Sequence, residues 1–287
     1  MLKIDSHQHF WTYKEEMTDW ITPEMAVLRR DFMPKDLAPL LKESKIDGCV
    51  VVQANQSREE NVFQLNNAHN HDFVKGVVGW VDLQGAEINE QLQELSCHDK
   101  LKGFRHILQG EKDRALMLKP AFLDGIKALA KHGFSYDILI YPDQLMFVPE
   151  LVARFPDQKF VIDHIAKPNI KEGNIEEWSA GIKALQNYEN LFCKVSGMVT
   201  EAHWTSWKPK DFEPYLDVVF ETFGIKRLMF GSDWPVCLLA ADYANVVSLT
   251  ENYVSKLTTN EQSLFWGGNA IEFYNLKKAV YGFAIKR

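Results

Sequence analysis

The feature that most restricts the fold of this chain is a unit that recurs eight times along its 287 residues: a short apolar run followed by a stretch with helical character. Near-continuous apolar runs, as opposed to alternating ones, mark strands buried on both faces, as in parallel sheets covered by helices. The runs fall at residues 2–7, 48–53 (GCVVVQ), 74–81 (VKGVVGWV), 101–106 (LKGFRH), 136–140 (YDILI), 159–164 (KFVIDH), 191–196 (LFCKVS) and 227–231 (RLMFG). Between them lie amphipathic stretches such as 34–44, 61–71, 121–132 and 213–223, and Gly133 and Gly224 follow two of these at positions suited to a helix C′. Eightfold repetition predicts an α/β protein of the closed (β/α)8 TIM barrel type in preference to an open doubly wound sheet.

Other signals agree. The first strand is followed by His7-Gln8-His9-Phe10-Trp11 instead of a G-x-G-x-x-G fingerprint, and G-x-x-x-x-G-K-[ST] is absent. No low-complexity tract or Gly/Ser linker divides the chain, which predicts one domain over residues 1–287. With a net charge of -7 and scattered lysines and arginines, the chain lacks the basic stripe of a nucleic-acid binder. Cys49, Cys97, Cys193 and Cys237 are dozens of residues apart, so they are expected to be free and mostly buried. Lys3 and Asp5 interrupt the N-terminal region and no run of 18 apolar residues occurs, which predicts a cytoplasmic protein without membrane attachment. The expected partner is a small-molecule substrate, and a homo-oligomer is compatible with the sequence.

Ionisable and ligating residues gather at the C-terminal ends of the predicted strands. His7 and His9 close the first, Gln53 the second, Trp80 and Asp82 the third, Arg105 and His106 the fourth. His164 closes the sixth, Lys194 and Ser196 the seventh, and Asp233 the eighth. In a parallel barrel those ends share the catalytic face. His7 and His9, two residues apart on a strand, can turn to the same side and share a metal ion or a substrate oxygen. His164 has a simpler reading as a buried histidine bonded to a backbone carbonyl, and Asp233 as the cap of a helix opening at Pro235. A carboxylate facing three histidines is equally placed to act as general base or metal ligand. Ser232 lacks the G-x-S-x-G context of a serine nucleophile, Cys193 sits within an apolar strand, and His69-x-His71 is expected near the opposite rim.

Taken together, IDSHQHFW (4–11), GFRH (103–106), DHIAKP (163–168), KVSG (194–197), MFGSDWP (229–235) and WGGNAIEFY (266–274) resemble the amidohydrolase superfamily over nearly the whole chain. The sequence is most similar to its lactonase branch, which includes L-fuconolactonases, L-rhamnonolactonases and 2-pyrone-4,6-dicarboxylate lactonases. The resemblance implies that Asp233 takes a proton from water and passes it to the departing ring oxygen. His7, His9 and His164 would hold or polarise the carbonyl oxygen, directly or through a metal. Binuclear members carry a bridging lysine or glutamate on the fourth strand and a further histidine on the fifth. Here Arg105-His106 and Tyr136-Asp137 stand there. The expectation is therefore at most one divalent cation, zinc being one candidate, held by His7, His9 and Asp233, or metal independence.

Catalysis is thus expected from Asp233 and His164, and substrate contact from Arg105, His106, Gln53, Trp80, Lys194 and Trp234. Only Arg105 and Lys194 supply cations at the strand ends, whereas Trp11, Trp80 and Trp234 offer aromatic faces. That balance favours a neutral sugar lactone over a dicarboxylate, which would need fixed cations. The alternatives are a 2-pyrone-4,6-dicarboxylate-type lactonase, a metal-dependent decarboxylase of small aromatic acids, or a non-catalytic sugar-binding barrel.

Overall fold

The computed structural model describes residues 2–18 and 20–276. The last residues of the expected 1–287 domain span, 277–287, lie outside the described residues. Eight parallel strands follow one another in sequence order: β1 (Ile4–Gln8), β2 (Gly48–Val52), β3 (Val74–Gly79), β4 (Leu101–His106), β5 (Ser135–Ile138), β6 (Phe160–Ile162), β7 (Leu191–Val195) and β8 (Leu228–Phe230). The outer layer is formed by α1 (Pro34–Glu43), α2 (Arg58–Asn70), α3 (Ile88–Leu95), α4 (Pro120–His132), α5 (Val148–Arg154), α6 (Glu176–Lys183), α7 (Glu213–Phe223) and α8 (Tyr243–Val254). This is the (β/α)8 barrel that the alternation of runs predicts.

Local chemistry starts and stops these helices where the sequence suggests. Pro34 opens α1 with its fixed φ, and Asp36 accepts from the Met33 amide at 2.9 Å. Ser57 and Asp242 cap α2 and α8 by accepting from Glu60 N and Asn245 N. Gly133 takes the left-handed conformation (φ 74°) after α4. Gly224, by contrast, adopts φ 61° and ψ 163°, a region open essentially to glycine alone.

One helix departs from the expected amphipathic pattern. The buried face of α2 is mostly polar, made of Glu60, Asn61, Gln64 and Asn67 beside Ala68. Asn61 exchanges two hydrogen bonds with the backbone of Trp80, at 2.7 and 2.8 Å, and Gln64 donates to Phe10 O at 2.8 Å. These side chains satisfy the backbone of the loops after β1 and β3, a role that apolar residues cannot fill.

The strand core divides by alternation. Val50, Val52, Val78, Val161 and Met229 pack with Phe273, Tyr274 and Leu276, while Cys49, Val51 and Val77 join the larger core beneath the helices. Phe273, Tyr274 and Leu276 cover the N-terminal end of the barrel. At the other end the seam between β1 and β8 is closed by functional segments. His9 N donates to Trp234 O at 2.7 Å, Asp233 N to His7 O at 2.8 Å, and the Ser6 hydroxyl to Phe230 O at 2.6 Å. Bonds that complete the barrel thereby bring Asp233 to His7 and His9. Among the described residues no helix is long and apolar enough to cross a membrane, and the four cysteines are free, with Cys97 alone exposed.

Candidate active site

Four side chains converge at the C-terminal mouth. Oδ1 of Asp233 lies 3.3 Å from Nε2 of His9 and 3.8 Å from Nε2 of both His7 and His164. The two histidines of β1 and its following residue approach each other at 3.2 Å through Nε2. Two of these residues sit in backbone conformations that only strong surrounding contacts maintain. Asp233 has φ 58°, and His164 begins a turn in which it, Ile165, Ala166 and Lys167 are all left-handed (φ 54°, 48°, 58° and 49°). Each such non-glycine residue costs about 1–2 kcal/mol, and strain of this kind concentrates at functional sites.

The far side of each imidazole has its own partner. His9 Nδ1 donates to Val52 O at 2.8 Å, which turns its Nε2 toward Asp233. The Ser196 hydroxyl stands 3.0 Å from His164 Nδ1, within hydrogen-bond reach. For His7, Arg105 Nη1 stands 3.3 Å from Nε2, while Lys194 Nζ and Asp163 Oδ1 stand 3.1 and 3.2 Å from Nδ1. Burial pushes His7 and His164 well below the usual imidazole range, and both are neutral. Burial alone would raise Asp233, but His164, a hydrogen bond from His9 and the Lys167 charge prevail and hold it below the usual carboxylate value.

This donor set fits a divalent cation. Imidazole nitrogens joined by a carboxylate and oriented by partners on their outer nitrogens are the usual ligand chemistry of zinc. Ligands roughly 2.0–2.1 Å from a tetrahedral ion stand about 3.4 Å apart, and separations of 3.2–3.8 Å are found among these groups. His7, His164 and Asp233 each present an atom within 4.8 Å of the others, so His164 shares the cluster with the HxH pair.

Beneath His7 lies a fully buried charge network. Lys194 Nζ contacts Asp137 Oδ2 at 2.5 Å and Asp163 Oδ1 at 3.0 Å, and Arg105 Nη1 donates to Asp163 Oδ2 at 3.0 Å. Arg105 Nη2 also donates to Gln53 O at 2.6 Å. Lys194 and Arg105, with His7, oppose burial and hold Asp163 well below the usual carboxylate range.

Above the cluster opens a cavity of about 590 Å³, within the roughly 300–1,000 Å³ of small-molecule sites. His9, Arg105, His164 and Asp233 line its floor, and Trp11, Trp20, Tyr141, Lys167, Glu201 and Trp204 stand among its walls. The predicted substrate contacts need correction here. Gln53, His106, Trp80, Lys194 and Trp234 do not line this cavity. Gln53 and Lys194 are wholly buried in the network below, and Trp234 packs edge-on against Phe10 and Phe32. Trp80 is tied through its backbone to Asn61, and His106 bonds Glu111 at 2.8 Å. Strand-end position alone did not reveal which side chains reach past the barrel rim. Walls contributed by loops were missed, though Lys167 belongs to the DHIAKP motif and Trp20 and Trp204 are aromatics in polar segments. Asp137 and Asp163 were signalled only as acids within apolar strands. Cys193 is buried and its thiol is pushed up by burial, the opposite of an activated nucleophile. His69 is exposed at the end of α2.

A parallel barrel whose mouth gathers three imidazoles around one carboxylate defines a hydrolase-type centre in which water can be deprotonated beside a cation site. The amidohydrolase family profile matches residues 4–276, and the chain belongs to that family. It is 40% identical over 286 residues to an L-fucono-1,5-lactonase of Burkholderia multivorans, with 96% of each chain covered. It is 35% identical over 282 residues to an L-fucono-1,5-lactonase of Burkholderia ambifaria, again with 96% of each covered. Among solved structures it is similar to an amidohydrolase of Burkholderia multivorans with bound zinc, at 40% identity and a TM-score of 0.94, covering 96% of this chain and 100% of that one.

Proposed function

We propose that this protein hydrolyses the ring ester of a neutral sugar aldonolactone, of the L-fuconolactone or L-rhamnonolactone kind. The observation that carries the proposal is Oδ1 of Asp233 facing three imidazole Nε2 atoms, with Asp233, His9 and His164 on the floor of a cavity walled by aromatic and polar side chains. The two L-fucono-1,5-lactonases at 35–40% identity support the choice of lactone. Both cations at the cavity are already paired, Arg105 with Asp163 and Lys167 with Glu201, which disfavours a dicarboxylate or an aromatic acid as substrate.

Asp233 is ionised and accepts a proton from the attacking water, then returns it to the departing ring oxygen. His164, fixed by Ser196, and His9, fixed by Val52 O, orient the carbonyl and exclude alternative poses. A divalent ion, held by His7, His9, His164 and Asp233, would supply positive charge where the oxyanion develops and would acidify water.

A pH-indicator assay tests the proposal, because lactone opening releases a proton at neutral pH. L-Fuconolactone and L-rhamnonolactone should be opened faster than 2-pyrone-4,6-dicarboxylate. Faster turnover of the pyrone than of any aldonolactone would reverse the assignment.

A further inference from the structure

We propose that Lys167 and Glu201 form a diol-reading subsite, one that recognises a vicinal pair of substrate hydroxyls and thereby selects hydroxylated lactones over bare ones. The proposal rests on the lactonase reading above and adds what the rest of the substrate meets. Lys167 Nζ bonds Glu201 Oε1 at 2.8 Å, with the side chains 15% and 19% exposed, and both line the cavity that holds Asp233. An ammonium has three donors and a carboxylate about four acceptor sites, so one mutual bond leaves capacity on each. Adjacent hydroxyls can accept from the first while donating to the second. The Tyr141 ring, 6.0 Å from Nζ, gives the same wall an aromatic face for the ring carbons.

What makes this pair a measuring device is its attachment to the reacting centre. Lys167 ends the left-handed turn that His164 begins, and Lys167 N donates to His164 O at 2.8 Å. Trp178 Nε1 pins the middle of the turn by donating to Ile165 O at 2.8 Å. Glu201 belongs to the segment after β7, whose Gly197 packs on the His164 ring and whose Thr200 hydroxyl donates to Gly197 O at 2.8 Å. Glu201 O accepts in turn from Lys171 N at 2.9 Å, joining the two segments again. Both members are therefore held at a set distance from His164. A residue that costs free energy in this backbone region persists only where its surroundings over-determine it, and carrying His164 and Lys167 on one rigid piece is a use for four of them in succession.

The test compares Lys167→Met and Glu201→Gln with wild type on two lactones: L-fuconolactone, and tetrahydropyran-2-one, which has the ring ester and no hydroxyls. The Lys167 charge also acts on Asp233, but that effect is common to both substrates and cancels in the ratio of their kcat/KM values. Each substitution should lower the ratio about 10–100-fold, the range expected for losing hydrogen bonds to charged groups. A ratio within about threefold of wild type overturns the subsite while leaving the lactonase reading intact. If the wild-type enzyme opens no aldonolactone, calorimetric binding of the non-hydrolysable 1,5-anhydro-L-fucitol decides. Binding that weakens at least about tenfold in both variants supports the subsite and removes the lactonase reading. Binding that is absent or unchanged removes the subsite as well.

Discussion

Lys194 lies directly beneath His7, with its Nζ 3.1 Å from Nδ1 of the imidazole and neither side chain reached by solvent. It holds two acids, Asp137 and Asp163, and Asp163 Oδ1 stands 3.2 Å from that ring. Lys194→Met leaves both carboxylates short of a cation, and breaking a buried ion pair from one side costs about 3–5 kcal/mol. Burial lifts Asp137 to about 6 even beside the ammonium, and loss of Lys194 raises it further. A carboxyl whose folded pKa exceeds its unfolded value destabilises the fold as pH rises between the two. The deficit of Lys194→Met in urea unfolding should therefore be larger at pH 8 than at pH 5, and Asp137→Asn should recover part of it. A deficit below about 1 kcal/mol at both pH values would show that the network does not need its charge.

Asp233→Asn should keep the fold and lose the reaction. Asparagine is among the few residues that tolerate the left-handed region, so φ 58° at this position is no obstacle. A positioned general base contributes about 10²–10⁴-fold, and kcat/KM should fall by that much with thermal melting little changed. Retention of more than about a tenth of wild-type kcat/KM, equivalent to under roughly 1.4 kcal/mol, would take Asp233 out of the mechanism.

Gly197 has φ 62°, and a Cβ there would stand 2.5 Å from His164 Nδ1 and 2.7 Å from its Cγ. Gly197→Ala must displace the imidazole as well as strain the backbone. A misplacement near 1 Å can cost about 10²-fold in rate. We expect a loss of that order in kcat together with a drop in melting temperature. Unaltered kcat would mean that His164 need not stay where it is.

One divalent ion per chain is the stoichiometry expected from the single cluster of His7, His164 and Asp233, with Arg105 and Lys194 filling the neighbouring space with fixed positive charge. Elemental analysis of the purified protein should show no more than one ion, and His7→Asn or His164→Asn should lower its occupancy. Two tightly held ions would overturn this account.

The apolar runs determined the architecture, because a strand buried on both faces has no other way to satisfy both its side chains and its backbone. β4 spans residues 101–106 and β2 ends one residue short of its run, and the other strands fall inside or within a residue of theirs. The strand-end positions of His7, His9, His164 and Asp233 were legible for the same reason: parallel strands share one C-terminal face. Which neighbours would reach the substrate was not legible. Lys194, still within the β7 ladder, points into the barrel and its ion network, whereas beyond the last ladder bond the loop backbone governs direction, and Lys167, swung round by a left-handed turn, lines the cavity. The polar face of α2 was hidden likewise, because its partners are loop amides and carbonyls far away in sequence. Periodicity reports what a segment buries, and only the closed barrel decides what it is buried against.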